Sequence, residues 1–331
     1  MKKIPLLFIL AAILIGGCVN DQQPVVATTT QNDLTLLTQA NPEWQYENLR
    51  IYPVVADAAL IEKQAAVGQL RNLAEGIKTP GFRITELKQF GRSVEHSVNA
   101  LTVQNKSQDT IFLMSGDVVT GGNQDRVIAR DQVVVPGTVK NIDVFCVESG
   151  RWHYNDPTAT ENEKSIYAFK GYYNVASPQV RQAVQRTGNQ QEVWNAVAKV
   201  TSANDAESGT HAYSALETAN EAKTKRDAYL RYFDGKAAYQ PNMVGMVVVC
   251  GDRVLGVDIF GHPDLFRRQY DALLHGYVAE AATAVCTSKL TDSEVAKAFG
   301  KVARLAKSGS TSDDQAGKFA VSEGWVHLFR K

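Results

Sequence analysis

The sequence predicts an α+β fold, in which a β-rich N-terminal half packs against a helical C-terminal half that includes a β-hairpin. Strand-like segments dominate up to about residue 155, and apolar residues recur at spacings of three and four after Pro178. Strands and helices are therefore segregated along the chain, whereas βαβ units would alternate them. The hairpin is predicted from two apolar runs, Met243–Cys250 and Arg253–Phe260, which are joined by the turn pair Gly251-Asp252.

The first eighteen residues carry the most specific signal in the chain. Two lysines precede an apolar run from Ile4 to Ile15, and Gly16-Gly17-Cys18 follows it. This run is shorter than the roughly 20 residues that a membrane-spanning helix needs, and a plain secretory signal does not require a cysteine at this place. We therefore expect residues 1–17 to be a lipoprotein signal peptide, with lipid attached to Cys18. This lipid would anchor the protein to a membrane of the bacterial cell envelope, and the absence of an acidic residue directly after Cys18 favours the outer membrane.

The remaining chain is predicted to contain a spacer and one domain. Residues 18–41 are rich in Thr, Gln and Asn, which is typical of a flexible spacer. Residues 42–331 are expected to form a single α+β domain, which is β-rich over 42–155 and helix-rich over 175–331. The segment between these halves contains Ile166-Tyr167-Ala168-Phe169 and Tyr172-Tyr173, which favour buried chain over a linker.

The β-rich half is predicted to contain five strands and an early helical stretch. The strands are Leu49–Val55, Asn99–Gln104, Thr110–Met114, Arg126–Val135 and Val139–Val147. Pro136-Gly137 marks a turn between the last two. Two helices are predicted within Ala58–Lys78, which shows the 3.6-residue spacing and is ended by Thr79-Pro80-Gly81.

The helical half follows the same periodicity argument. Helices are predicted at Gln179–Arg186, Gln190–Ser202, Tyr213–Phe233 and Asp292–Lys307, and a long helix starts after His262-Pro263-Asp264. The chain ends in a predicted strand pair around Glu323-Gly324, with Trp325–Phe329 as its last strand.

Charge and composition argue against several classes of function. The chain has 35 basic and 35 acidic residues, and loss of Lys2 and Lys3 with the signal peptide leaves a slight acidic excess. Because the chain has no basic surplus or dense basic cluster, we expect no nucleic-acid partner. No cofactor is predicted, and the scattered histidines and cysteines predict no metal site.

The cysteines beyond Cys18 are three in number, so at least one thiol is left over within a monomer. Cys146 and Cys250 are expected to be buried because each lies at the end of an apolar strand. The disulfide state of Cys146, Cys250 and Cys286 stays open at this point.

Catalytic signatures are mostly absent from the chain. Gly116 to Gly122 has the glycine spacing of a phosphate loop, but Gly122 and Asn123 stand where lysine and Ser/Thr are needed. Gly91 to Glu95 lacks the second glycine of a nucleophile elbow.

Two polar segments, Gly116–Val127 and Phe145–Asp156, are the best candidates for a functional site. Strand alternation places Glu148 on the same face as Val144 and Cys146, where a carboxylate is costly unless it is paired or lies at a rim. We expect Glu148 and Asp117 as candidate catalytic acids or bases. The expected ligand-binding residues are Asn123, Gln124, Arg126, Arg151 and Trp152.

Two interpretations of these residues are compatible with the sequence. In the first, Glu148 and one arginine form a structural ion pair that ties two loops together, and Trp152 packs beside them. In the second, Arg126, Arg151 and Gln124 bind an anionic or polyhydroxylated ligand, and a carboxylate acts on it or accepts its hydroxyl groups.

The residues of these segments also resemble a known family, the ARG and rhodanese-phosphatase-superfamily-associated protein domain, where ARG stands for ADP-ribosylglycohydrolase. The resemblance spans roughly Asn48 to Phe329. It rests on Gly116-Asp117, Gly121–Arg126, Cys146–Trp152, Asp258–Val278 and Gly324–Phe329. The family resemblance implies an acidic residue in the block Gly116-Asp117. Asp117 keeps the carboxylate there, on a shorter side chain.

The resemblance implies a link to ADP-ribose or NAD-derived metabolites, without an assigned reaction. We therefore expect a lipid-anchored envelope protein with a polar pocket for an anionic, nucleotide-like or sugar-like ligand. The alternative is a non-enzymatic lipoprotein of envelope interaction or assembly. A pocket lined by Arg126, Glu148 and Arg151 would favour the first, whereas a flat apolar surface with those groups mutually paired would favour the second.

Overall fold

The structure is a computed structural model, and it describes residues 28–38, 42–86, 99–151, 168–286, 288–322 and 324–331. Cys18 and Trp152 lie outside the described residues. The strands are β1 Thr28–Gln31, β2 Leu34–Leu37, β3 Gln45–Tyr46, β4 Leu49–Ala56, β5 Phe82–Glu86, β6 Ala100–Asn105, β7 Ile111–Leu113, β8 Asp117–Gly121, β9 Arg126–Ile128, β10 Gln132–Val134, β11 Val139–Cys146, β12 Ala168–Val175, β13 Met243–Cys250, β14 Arg253–Phe260, β15 Ala316–Val321 and β16 Gly324–Arg330. The α-helices are α1 Ala58–Lys63, α2 Ala65–Gly68, α3 Leu73–Lys78, α4 Pro178–Arg186, α5 Gln190–Ala203, α6 Glu221–Phe233, α7 Lys236–Tyr239, α8 Pro263–Ala281 and α9 Asp292–Ala303.

The predicted hairpin lies at the centre of the larger sheet. This 8-stranded sheet has the order β1-β2-β4-β13-β14-β16-β15, with β3 paired to β4. All residues of β13 are buried, as expected for an apolar strand that is covered on both faces. The turn between β13 and β14 uses Gly251 at φ 57°, a conformation that glycine adopts without steric cost. The hairpin prediction is confirmed, with Val247 opposite Val257.

Helices cover both faces of this sheet. Val295 and Phe299 of α9 pack on one face, in a core cluster that includes Val247. Phe266 and Tyr277 of α8 pack on the other face in a second cluster. The long helix α8 begins after the N-cap residue His262, with Pro263 at its first turn.

The β-rich half forms a closed barrel of strands in the order β11-β6-β5-β12-β8-β9. Its interior is filled by apolar side chains such as Ile84, Val103, Ile128 and Val144. The outer face packs against α4 and α5 through a separate cluster that includes Val127. The α+β fold class, with a β-rich N-terminal half and helices in the C-terminal half, is confirmed.

Three predicted elements differ from the structure. The range 58–78 holds three short helices, because Gln64 ends α1 and Asn72 starts α3 with a capping box to Glu75. The predicted strand 126–135 is split into β9 and β10, which belong to different sheets. The predicted helix 213–233 is a 3₁₀ turn at Tyr213–Glu217 followed by α6, since Asn220 caps a new helix.

Part of the predicted spacer is structured. Residues 28–37 form the hairpin β1–β2, which pairs with β4. Leu34 and Leu36 of this hairpin are fully buried in the core. The alternation of Leu34 and Leu36 did not lead to a strand prediction, because Thr and Gln residues surround it. Among the described helices, none combines the length and the apolar character needed to cross a membrane.

Candidate functional site

Arg151 joins the two polar segments that the sequence singled out. Its guanidinium donates to the Glu148 carboxylate, with Nη2–Oε2 at 2.6 Å and Nε–Oε1 at 2.9 Å. The same Nη2 lies 3.1 Å from Asp125 Oδ1, and Nη1 donates to the carbonyl oxygen of Gly122 at 2.8 Å. Glu148 also accepts the backbone N–H of Asp125 at 3.0 Å. The loop after β8 and the chain after β11 are therefore tied together by an ion-pair network.

Burial and pairing together set the charge of these carboxylates. Only 4% of the Glu148 side chain is exposed, against 26% for Arg151. Burial opposes ionisation, but the hydrogen bonds from Arg151 and from the Asp125 N–H outweigh it and lower the pKa of Glu148. Burial raises the pKa of Asp125, although the N–H of Gly121 opposes this by donating a hydrogen bond. An ionised Glu148 held by this many donors is poorly suited to transfer a proton.

Arg126 lies inside one end of the barrel and is completely buried. It shares a face of β9 with Ile128, which packs in the barrel interior. Its Nη1 donates to the carbonyl oxygen of Gln124 at 2.7 Å, and its Nη2 lies 3.6 Å from Glu86 Oε1. The predicted ligand-binding residues within the described chain all lie at this end of the barrel: Asn123, Gln124, Arg126 and Arg151. Among the described residues, Asn123 Oδ1 and the Nε and Nη2 atoms of Arg126 are buried and have no hydrogen-bond partner.

Asp117 does not join this group. It begins β8, whereas the loop that holds Asp125 follows the other end of that strand. Asp117 is fully buried, accepts the N–H of Met114 at 2.8 Å and accepts the hydroxyl of Tyr172 at 2.9 Å. Burial raises the pKa of Asp117 to about 7. Asp117 therefore lies apart from Glu148 and Arg151.

A second buried network contains residues that sequence reasoning missed. His327 of β16 lies between two carboxylates, with Nδ1 2.7 Å from Asp131 Oδ2 and Nε2 3.1 Å from Asp258 Oδ1. Arg181 of α4 donates to Asp258 Oδ2 at 3.0 Å, and the Tyr277 hydroxyl also donates to Asp258. Burial would lower the pKa of His327, but the two carboxylates outweigh it and raise that pKa to about 9. Burial likewise opposes ionisation of Asp258, yet Arg181 and His327 hold its pKa far below the usual range.

The sequence did contain a signal for this network. Asp258 lies in the apolar stretch Val257-Asp258-Ile259, and His327 lies in Val326-His327-Leu328. A single charged residue inside a buried strand needs a partner of opposite charge. Both residues also fall in blocks that carry the family resemblance, so the two blocks meet in space through this ion pair.

Two adjoining cavities lie beside α4 and the end of β16. One has a volume of about 690 Å³ and is bounded by α4, the β13–β14 turn, α9 and the end of β16. The other has a volume of about 610 Å³, and Asp131, Phe319 and Phe329 contribute to its lining. Arg186 and Lys331 line both. Neither of the predicted catalytic residues, Asp117 and Glu148, lines one of these cavities.

Within the part of the chain that the structure describes, no group of three or more His, Cys, Asp or Glu side chains is arranged to hold a metal ion. Comparison with curated proteins gives no match, and comparison with solved structures gives none either. A family model named ARG and Rhodanese-Phosphatase-superfamily-associated Protein domain, ARPP-1, matches residues 38–327. This span includes the barrel, the large sheet from β3 to His327 and both buried networks. The chain therefore belongs to the ARPP-1 domain family.

Proposed function

We propose that this protein is a lipid-anchored protein of the bacterial cell envelope that binds an anionic, nucleotide-like ligand in the two adjoining cavities. The observation that carries the ligand class is the charge of the 690 Å³ cavity, here called the basic cleft. Its lining contains six basic and three acidic side chains. Its volume falls in the range of about 300–1,000 Å³ that is usual for small-molecule sites. The name of the family supports ADP-ribose or another NAD-derived metabolite as the ligand.

The positive charge of the basic cleft is only partly compensated by protein groups. Glu280 accepts the N–H of Gln179 at 2.5 Å, and Glu294 accepts the N–H of Thr291 at 2.9 Å at the start of α9. Both carboxylates therefore already accept a hydrogen bond from a backbone N–H group. Lys297 and Lys301 are exposed, lie one turn apart on α9 and form no ion pair among the described residues. A phosphate group entering the cleft would meet these two ammonium groups together.

The second cavity, here called the aromatic cavity, offers different chemistry. The ring of Phe329 stacks on His327 at 5.0 Å, and the ring of Phe319 stacks on Phe112 at 6.0 Å. Both phenylalanines are half-buried and line this cavity. Aromatic faces suit a nucleobase. Because Arg186 lies between the two cavities, a ligand with phosphates at one end and a base at the other could contact both.

Calorimetric titration with ADP-ribose, NAD and ribose 5-phosphate tests this proposal. The variant pair Lys297→Glu/Lys301→Glu should weaken binding of the phosphate-bearing ligand at least about tenfold, because two charge-assisted contacts are replaced by repulsion. Binding to the native protein should also weaken as salt is added. The matched control is Lys199→Glu/Lys225→Glu, which reverses two exposed charges on α5 and α6. Equal affinity of both double variants would contradict the proposed site.

A second candidate function is a non-enzymatic role in envelope interaction or assembly. The observation that favours it is the mutual pairing of Asp125, Glu148 and Arg151, in which the charges of these three side chains compensate one another. The same titration separates the two candidates. If no anionic ligand gives heat with the native protein, the interaction role becomes the better supported one.

A further inference from the structure

The thiols of Cys250 and Cys286 lie 3.1 Å apart. Cys250 is the last residue of β13 and is fully buried, whereas Cys286 follows α8 and is partly exposed. We infer that these two residues form an intramolecular disulfide, which attaches the connection between α8 and α9 to the β13–β14 hairpin. This inference does not depend on the proposed ligand or on the proposed lipid anchor.

The surrounding structure holds the two thiols together without the bond. Asn48 Nδ2 donates to the carbonyl oxygens of Ala281 at 2.9 Å and Ala284 at 3.0 Å, which positions the chain just before Cys286. The N–H of Leu290 donates to the carbonyl oxygen of Gly251 at 3.1 Å, which positions the chain after it. A Cβ at residue 251 would overlap the side chain of Cys286, so the glycine also provides the space for this approach. Bond formation therefore requires little movement of the backbone.

The two thiols differ in exposure, so they have different roles in disulfide formation. Burial raises the pKa of Cys250 to about 12, so its thiol is protonated and shielded from external reagents until the mixed disulfide forms beside it. Cys286 is the accessible partner, and its thiolate would attack a disulfide of an external oxidant, such as oxidised glutathione or a protein disulfide. This attack forms a mixed disulfide at Cys286 and releases one thiolate of the oxidant.

The second step completes the exchange. Cys250 loses its proton and attacks the sulfur of Cys286 in the mixed disulfide, which expels the second thiolate of the oxidant. The two protons lost by the cysteines convert the oxidant's thiolates to thiols. The protein loses two thiol groups and gains one S–S bond, and the oxidant is reduced from one disulfide to two thiols.

The bond would also fix two walls of the basic cleft relative to each other. Arg253 and Leu290 both line that cleft, the first just after Cys250 and the second just after Cys286. With the cross-link in place, the start of α9 and the β13–β14 turn could not separate.

Peptide mapping tests the cross-link directly. The purified protein is incubated with oxidised glutathione, denatured with iodoacetamide present and digested with trypsin without reductant. We expect peptides 237–253 and 269–289 to appear joined, at their summed mass less two hydrogen atoms. Cys286→Ser should abolish the joined species, whereas the control Cys146→Ser should retain it. Recovery of both native peptides in separate form, carrying either alkyl or glutathione groups, would overturn the inference.

Thermal unfolding provides a second measurement. Closing a loop over a sequence separation of 36 residues should raise the melting temperature of the oxidised protein by about 5 °C over the reduced protein. The difference should vanish in Cys286→Ser. If oxidised and reduced native protein melt at the same temperature and the joined peptide is missing, the thiols do not form the bond.

Discussion

Buried carboxylates occupy two different environments in this protein. Glu148 and Asp258 are each bonded to an arginine, and the pKa of each is lowered despite burial. Asp117 instead accepts bonds from a backbone N–H and a tyrosine hydroxyl, and burial raises its pKa to about 7. Loss of a negative charge should therefore cost stability at the first two residues and much less at the third.

Glu148→Gln tests the ion-pair network at the barrel end. We expect it to lower the free energy of unfolding by about 3 kcal/mol, because Arg151 is left without its main partner in a largely buried site. Urea denaturation followed by circular dichroism gives the value. The matched control is Asp143→Asn, which removes the exposed Arg130–Asp143 pair and should change stability by less than about 1 kcal/mol. Equal effects of the two variants would show that Glu148 has no structural role and would restore it as a candidate catalytic residue.

His327 should make stability dependent on alkaline pH. Its pKa is raised from 6.5 to about 9 in the folded protein, so its contribution is fully present below pH 6.5 and is lost as pH rises through about 9. Asp258 has the opposite sign, since its lowered pKa gives a contribution that is lost on acidification. Asp117, with its raised pKa, works against stability as pH rises towards 7.

NMR titration of the histidine ring signals measures the His327 part of this behaviour without altering the fold. We expect the His327 ring to stay protonated up to about pH 8 and to titrate near 9. The ring of His262 provides the internal control, because burial lowers its pKa from 6.5. If His327 titrated below His262, the charged Asp131–His327–Asp258 network would be contradicted.

At the scale of elements, the hairpin β1–β2 adds an edge to the large sheet. It precedes the predicted domain boundary, yet Leu34 and Leu36 enter the same core cluster as Val295 and Phe299 of α9. The hairpin is therefore part of the support beneath the helix that carries Lys297 and Lys301. A spacer between a lipid on Cys18 and the folded protein would therefore have to end before β1 starts at Thr28.

Leu36→Ala tests the contribution of this hairpin. We expect a loss of about 2–5 kcal/mol in the free energy of unfolding, because a fully buried leucine leaves a cavity under α9. Chemical denaturation measures it, with Thr30→Ala as the control on an exposed position of the same hairpin. The control should stay within about 0.5 kcal/mol of the native protein. A Leu36→Ala variant as stable as the control would place the hairpin outside the folded core.

At the scale of the whole molecule, the two cavities depend on parts of the chain that are distant in sequence. The basic cleft takes residues from α4, β14, α9 and β16. The aromatic cavity adds Phe145 from the barrel strand β11 and Asp131 from the segment between β9 and β10. The buried network of Asp131, Asp258 and His327 joins the barrel to the large sheet beside that cavity. The proposed site therefore requires both the barrel and the large sheet to be folded.

Cys18→Ala tests the proposed anchor. The variant should lose labelling by a radioactive fatty acid and leave the membrane fraction, because the lipid would be attached to this thiol. Its melting temperature, measured in detergent against the native protein, should be unchanged. Cys286→Ser, which leaves the signal segment intact, is the control for labelling. Unchanged membrane retention of Cys18→Ala would refute the anchor while leaving the ligand proposal untouched.

Local patterns in the sequence were sufficient for the fold class and for several elements. The hairpin β13–β14, the long helix α8 and the burial of Cys146 and Cys250 follow from apolar runs and turn residues, whose effect depends on near neighbours in the chain. An ion pair of Glu148 was one of the two interpretations that the sequence left open, because a carboxylate on an apolar face needs a partner. The same local view missed the hairpin at 28–37 and the breaks within 58–78, where short elements are stabilised by packing on distant strands.

Only the tertiary structure decided where charge is compensated and where it is not. The sequence predicts Asp117 and Glu148 as candidate catalytic residues of one site, but Asp117 lies at the start of β8 and Glu148 contacts the loop after the end of that strand. The apolar neighbours of Asp258 and His327 indicate that each needs a partner of opposite charge, but nothing local in the sequence identifies Asp131 and Arg181 as members of the same network, since the four residues lie on separate segments. The basic cleft arises in the same way, since Lys297 and Arg253 are ordinary surface charges until the sheet brings α9 beside β14. Coulomb interactions depend on distance in space, and a sequence without a known fold does not contain those distances.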